Sequence, residues 1–127
     1  MKEKIEQLIN TLKQKTDKGE AEWLKTSSRN EFQLSFENGK ITTDSFTAEP
    51  EFGPNFDVVE VRIYNNKGDE VYLHSFTLQE NESEYKKLMD FYKCVKASYY
   101  KVSETIDSML NEANSNKVIG KEEDLPF

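Results

Sequence analysis

The chain carries one imidazole and one thiol, His74 and Cys94, with no second copy of either. A structural zinc site draws on four His or Cys ligands, and a catalytic pairing needs a base placed beside its nucleophile. Neither can be assembled here. His74 lies between Leu73 and Ser75 in an alternating stretch and reads as a surface or edge-strand residue. Cys94 falls on a helical periodicity, which suggests packing more than reactivity, and a single cysteine closes no disulfide within the chain. Asp44, Glu49, Glu51 and Asp57 flank a Pro-Gly loop and could chelate a hard cation, but they lack the D-x-[DN]-x-[DN]-G spacing of a calcium loop. There is no Walker loop and no G-x-G-x-x-G, and the 5 glycines are scattered. No catalytic residue, no metal site and no cofactor is therefore expected, and an enzyme is the disfavoured class. The chemistry left over is that of binding. It is concentrated in the last residues, where Glu122, Glu123 and Asp124 run into Leu125, Pro126 and Phe127.

A second binding chemistry lies on the predicted strands. Trp23, Phe32, Phe36, Phe46, Tyr64, Tyr72 and Phe76 alternate with Lys25, Arg29, Lys40, Arg62 and Lys67, and an aromatic sheet face with basic margins can stack single-stranded bases. Lys25, Arg29, Lys40, Arg62, Tyr64 and Tyr72 are the candidate nucleic-acid face. Against it, the stretch from Trp23 to Glu80 holds ten acids and only five bases. Aromatic residues at strand spacing more often form core.

Charge and composition restrict the partners further. The formal net charge is −7, which argues against neutralising phosphates or anionic lipid as the main task. No apolar run approaches a membrane span, and the first 17 residues have no continuous apolar stretch of signal-peptide type. Together with the lone cysteine, this points to the cytoplasm.

Positioning these residues requires a small α+β domain. Ile5, Leu8, Ile9 and Leu12 stand at i, i+3, i+4 and i+7, the stripe of an amphipathic helix over about residues 2–17, with Gly19 beyond it as a stop. The period then changes to two. Phe32, Leu34 and Phe36 mark a strand over about 30–37, and Asn38-Gly39 predicts a type I′ hairpin into a strand over 40–48. Pro50, Gly53 and Pro54 make 49–55 a loop. Val59, Val61 and Ile63, then Val71, Leu73 and Ser75, give two more strands joined by Asn65-Asn66-Lys67-Gly68-Asp69. Asn81 is a fitting N-cap with Glu84 in capping-box position. From there Tyr85, Leu88, Tyr92, Val95, Tyr99, Val102, Ile106, Met109 and Ala113 follow at alternating spacings of three and four. That predicts one helix of about thirty residues, about 45 Å long. The result is a single α+β domain over 1–114: N-terminal helix, about five antiparallel strands as a meander, and a long C-terminal helix. Residues 115–127 are expected to form a flexible linker and acidic tail. The distal helix, through Val102, Ile106, Met109 and Ala113, is also a candidate homodimer seam.

The terminal Glu122-Glu123-Asp124-Leu125-Pro126-Phe127 resembles the acidic tip of bacterial single-stranded-DNA-binding proteins. In that family the tip docks on proteins of repair, replication or recombination. The resemblance implies Phe127 as pocket anchor, Pro126 as rigid spacer, and the three acids as contacts to a basic rim. It covers six residues only. The linker 114–121 is shorter than in that family, and the body does not follow its oligonucleotide-binding barrel pattern. A second resemblance concerns Thr16, Gly19, Trp23 and Thr26. Their T-x-x-G-x-x-x-W-x-x-T segment is similar to that of small bacterial α-β-α proteins of unknown function, and it places Trp23 as a core anchor for the first helix.

These observations lead to a non-enzymatic bacterial protein-interaction domain whose tail meets a DNA-maintenance partner. Single-stranded nucleic-acid binding by the sheet, and a regulatory domain dimerising through the C-terminal helix, are the alternatives.

Overall fold

In a computed structural model, which describes residues 2–120, the chain is an α+β domain: helix α1 (Lys2–Asp17), five strands, then helices α2 (Glu82–Tyr99) and α3 (Val102–Ala113). The strands are β1 (Leu24–Lys25), β2 (Phe32–Phe36), β3 (Gly39–Ala48), β4 (Phe56–Asn65) and β5 (Glu70–Thr77), and they pair antiparallel in chain order. A meander of this kind needs only short turns, because each strand pairs with its predecessor.

Register decides which side chains meet the helices. Phe32, Thr43, Val61 and His74 stand in one cross-strand row, and Leu34, Ile41, Ile63 and Tyr72 in the next. These rows face α1 and α2. Ile5, Ile9 and Leu12 of α1 and Leu88, Phe91, Tyr92 and Val95 of α2 close over them as one buried cluster. Removing each such side chain from water contributes roughly 1.5–3 kcal/mol. Trp23 is 4% exposed, meets Phe91 edge to face at 5.8 Å, and donates its Nε1–H to Thr16 Oγ1 at 3.0 Å. It thereby ties the end of α1 to α2.

Three details depart from the expectations drawn from sequence. The β2–β3 hairpin turns on Glu37 and Asn38, while Gly39 is the first residue of β3 and pairs with Phe36 and Asn65. Neither turn residue has a positive φ, so the turn is not type I′. Gly39 is required for another reason: a Cβ there would collide with the carbonyl oxygen of Tyr64. At α2, Asn81 Oδ1 accepts the Glu84 N–H at 3.2 Å, but the Glu84 carboxylate goes to Lys2 and Lys87, both at 3.6 Å. The capping box is thus half formed. The third departure is largest. The predicted single C-terminal helix is broken, and Lys101 between α2 and α3 takes left-handed dihedrals, φ 53° and ψ 46°.

Candidate interaction surface

The break falls where α2 runs past the edge of the core, at a partly buried Tyr99 and an exposed Tyr100. Tyr99 and Tyr100 both meet the Phe32 ring, at centroid distances of 5.2 and 6.3 Å, and each other at 4.9 Å. Consecutive residues of a continuous helix point about 100° apart, which sets two neighbours poorly for one ring. The Tyr100 N–H still reaches Lys96 O at 3.1 Å, and the Lys101 N–H closes on Ser98 O at 3.1 Å. With those bonds the α2 ladder ends, and α3 starts along a new axis.

No residue of α3 is buried. Val102, Ile106, Met109 and Leu110 fall at i, i+4, i+7 and i+8 on one face, and they are 44%, 51%, 63% and 54% exposed. This is an amphipathic helix without a covering surface among the described residues. Its charged residues are Glu104, Asp107 and Glu112, with no lysine or arginine from Val102 to Asn116. By helical spacing Asp107 and Glu112 flank the stripe, and Glu104 lies on the opposite side of the helix. Ser115 Oγ donates to Glu112 O at 2.6 Å and accepts the Lys117 N–H at 3.1 Å, which closes the end of the helix. Beyond it Val118 and Ile119 are again exposed apolar residues. The tail residues Glu122, Glu123, Asp124, Leu125, Pro126 and Phe127 lie outside the described residues.

The six residues of the proposed nucleic-acid face do not share a surface. Lys40, Arg62 and Tyr64 are on the sheet face away from the helices, as the pairs Lys40↔Tyr64 and Thr42↔Arg62 require. Tyr72 pairs with Ile63 on the opposite, helix-covered face, and Lys25 pairs with Phe32 there. Arg29 is in the loop before β2, where its carbonyl accepts the Lys25 ammonium. Trp23, Phe32 and Tyr72 are committed to packing against the helices.

The sheet face away from the helices is acidic in its centre, where Glu60 is itself buried. Arg62 bonds Glu60 through Nε at 3.0 Å and Glu70 through its terminal nitrogen at 2.8 Å, so its charge is matched twice over. Asp44 stands directly opposite Glu60. Burial, then the nearby Glu31 carboxylate, hold Asp44 above the usual carboxylate range. Lys40 lies over the Tyr64 ring at 4.9 Å, a single cation–π pair at the margin.

His74 is buried, 6% exposed, on the helix side of β5. Its place between Leu73 and Ser75 predicts a surface or edge residue; β5 is an edge strand, but the side chain points inward. It stacks near Tyr72 at 6.0 Å and meets Phe76 edge-on at 4.7 Å. Burial lowers its pKa below the usual imidazole value, against the opposing pull of Glu84 and Glu6. A cleft of about 200 Å³ beside it is lined by Glu6, Lys13, Glu84, Lys87 and Asp90 among others. Of its carboxylates, Glu84 is paired with Lys2 and Lys87. Cys94 Sγ donates to Asp17 Oδ1 at 3.0 Å, and burial with that bond pushes the thiol up to about 12. Such a thiol is protonated at neutral pH and a poor nucleophile. Among the described residues no group of three or more His, Cys, Asp or Glu is placed to hold a metal ion, and no helix is long and apolar enough to cross a membrane.

Compared with protein-family models, with curated proteins and with solved structures, the chain matches none. The three-and-four spacing marks Val102, Ile106, Met109 and Ala113 but not Leu110 or the acids Glu104, Asp107 and Glu112. The signal was present in the pattern: Leu110 extends the same stripe by one residue.

Proposed function

We propose that this protein is a non-enzymatic interaction domain that presents its C-terminal segment to a partner in DNA maintenance. In this reading Phe127 enters an apolar pocket, Pro126 holds the approach stiff, and Glu122, Glu123 and Asp124 meet a basic rim. One observation carries the reading: α3, the element that leads into the tail, buries none of its own residues and exposes four large apolar side chains. A helix of 12 residues is marginal in water on its own. Apolar side chains held out in this way favour recognition over core packing. Single-stranded nucleic-acid binding has weaker support, because its candidate residues are divided between two sheet faces and Arg62 is already paired with Glu60 and Glu70.

Competition tests the proposal. A labelled acidic-tip peptide of a bacterial single-stranded-DNA-binding protein is bound to a purified tip-binding repair protein, and its anisotropy is followed while this protein is added. The intact chain is expected to displace the peptide, and a chain lacking Phe127 to do so at least about tenfold less well, as for a central anchor residue. Equal displacement by both forms, or none by either, would overturn the proposal.

A further inference from the structure

We infer that α3 is a second contact for the partner that holds the tail, and that the surface it meets is an apolar groove bordered by lysine or arginine. The inference rests on the tail-docking reading above. Three features of the chain carry it.

The first is charge. The segment 102–127 contains six acids and two lysines, a net −4 out of the −7 of the whole chain. Within α3 the apolar stripe of Val102, Ile106, Met109 and Leu110 is accompanied by Glu104, Asp107 and Glu112 with no base at all. Helix and tail thus offer related chemistry, apolar anchors with acids nearby: by helical spacing Asp107 and Glu112 flank the stripe, and Glu104 lies behind it. Complementarity asks for positive charge around an apolar floor.

The second is reach. Eleven residues separate Ala113 from Leu125, at most about 40 Å of chain. Any surface holding the tail therefore has α3 close by, at the high effective concentration that a short linker gives. A helix contact too weak to form alone becomes significant there.

The third is the poor fit of a second copy of this chain. A helix of 12 residues is about 18 Å long, and its few stripe side chains fall far short of the 20–30 residues a side of a standard interface. Several exposed apolar side chains of the body are poorly matched as well. Val71 follows Glu70, Phe52 follows Glu51, and the groove of Leu24 holds Glu20, Glu22 and Glu104 against one lysine, Lys101. These patches offer an acidic helix more acid than base.

The same competition assay decides the matter, using two α3 variants of the full chain. Ile106→Gln with Leu110→Gln removes half of the large apolar stripe while keeping good helix formers. Glu104→Gln with Asp107→Asn and Glu112→Gln removes the acids. Because α3 buries nothing, both should fold, which thermal melting checks directly. The first variant is expected to displace the tip peptide about tenfold less well than the intact chain. The second is expected to lose several-fold at low salt and to show a flatter salt dependence. If the intact chain competes and both variants match it, the helix contact is refuted while tail docking stands. If the intact chain fails to compete, both readings fall. Sedimentation of the intact protein at the assay concentration should show a monomer; a dimer abolished by the first variant would mean that a second copy covers the stripe, and would overturn the inference.

Discussion

Helices α2 and α3 share one continuous apolar spacing from Tyr85 to Ala113, yet they have opposite fates. In α2, Leu88, Phe91, Tyr92 and Val95 are buried against the sheet; in α3, the next residues of the same series stay in solvent. Periodicity alone does not distinguish a core face from an exposed one. What distinguishes them is the extent of the sheet. The Phe32 ring at the β2 end takes Tyr99 and Tyr100 as its last partners, and the helical stripe past that point has no strand beneath it.

Substitution should separate the two helices sharply. Phe91→Ala removes a fully buried ring and is expected to lower the stability of the domain by about 3–5 kcal/mol in chemical denaturation. Leu110→Ala, on the exposed helix, should change it by less than about 0.5 kcal/mol. A comparable loss at both sites would mean that α3 packs on the body after all. A smaller effect is expected at the junction. Lys101 bears a Cβ in a left-handed conformation, which costs roughly 1–2 kcal/mol for a residue other than glycine. Lys101→Gly should therefore leave the fold intact and hold or raise its melting midpoint, whereas a clear drop would indicate that the bend is not the resting form of the helix pair.

The smallest effect is in pH. His74 is held below its usual value by burial, so between that lowered value and the ordinary 6.5 the unfolded chain binds the proton more readily than the folded one. Stability should be fully present above about pH 6.5 and decline as the pH falls below it. His74→Gln should flatten this decline. Because the charge change occurs under α1 and α2, the loss should appear in tertiary probes of the core, such as Trp23 fluorescence.

Much of the body was legible in the residues. The stripe of Ile5, Ile9 and Leu12 gives α1, and the alternation of Val59, Val61 and Ile63 gives β4, because a half-buried face writes its period directly into the sequence. The Asn65 turn was equally plain: Asn65 Oδ1 accepts the Lys67 and Asp69 N–H groups, and Gly68 takes a positive φ of 86°. The hairpin at Gly39 was read in the right place for the wrong reason, since close approach to the Tyr64 carbonyl on the next strand is a tertiary fact. The inward turn of His74 was also invisible, because alternation in β5 is symmetric: Leu73 and His74 exchange places if the sheet is covered from the other side. Lys101 gave no warning. Neither glycine nor proline marks that bend, and the ring contacts that accompany it are made with Phe32, far away in the chain.

The order of the elements also sets the order in which the chain can become a structure during synthesis. Each strand of the meander finds its partner in the segment just made, which favours early and local pairing. Helix α1 has no such neighbour. Its apolar stripe is completed by Leu88, Phe91 and Val95, and Trp23 waits on the same Phe91. Helix α1, made before the sheet, is thus among the last elements to be covered. Throughout the synthesis of the sheet, Ile5, Ile9 and Leu12 remain available to chaperones or to neighbouring chains, and the arrival of α2 is the event that closes this window.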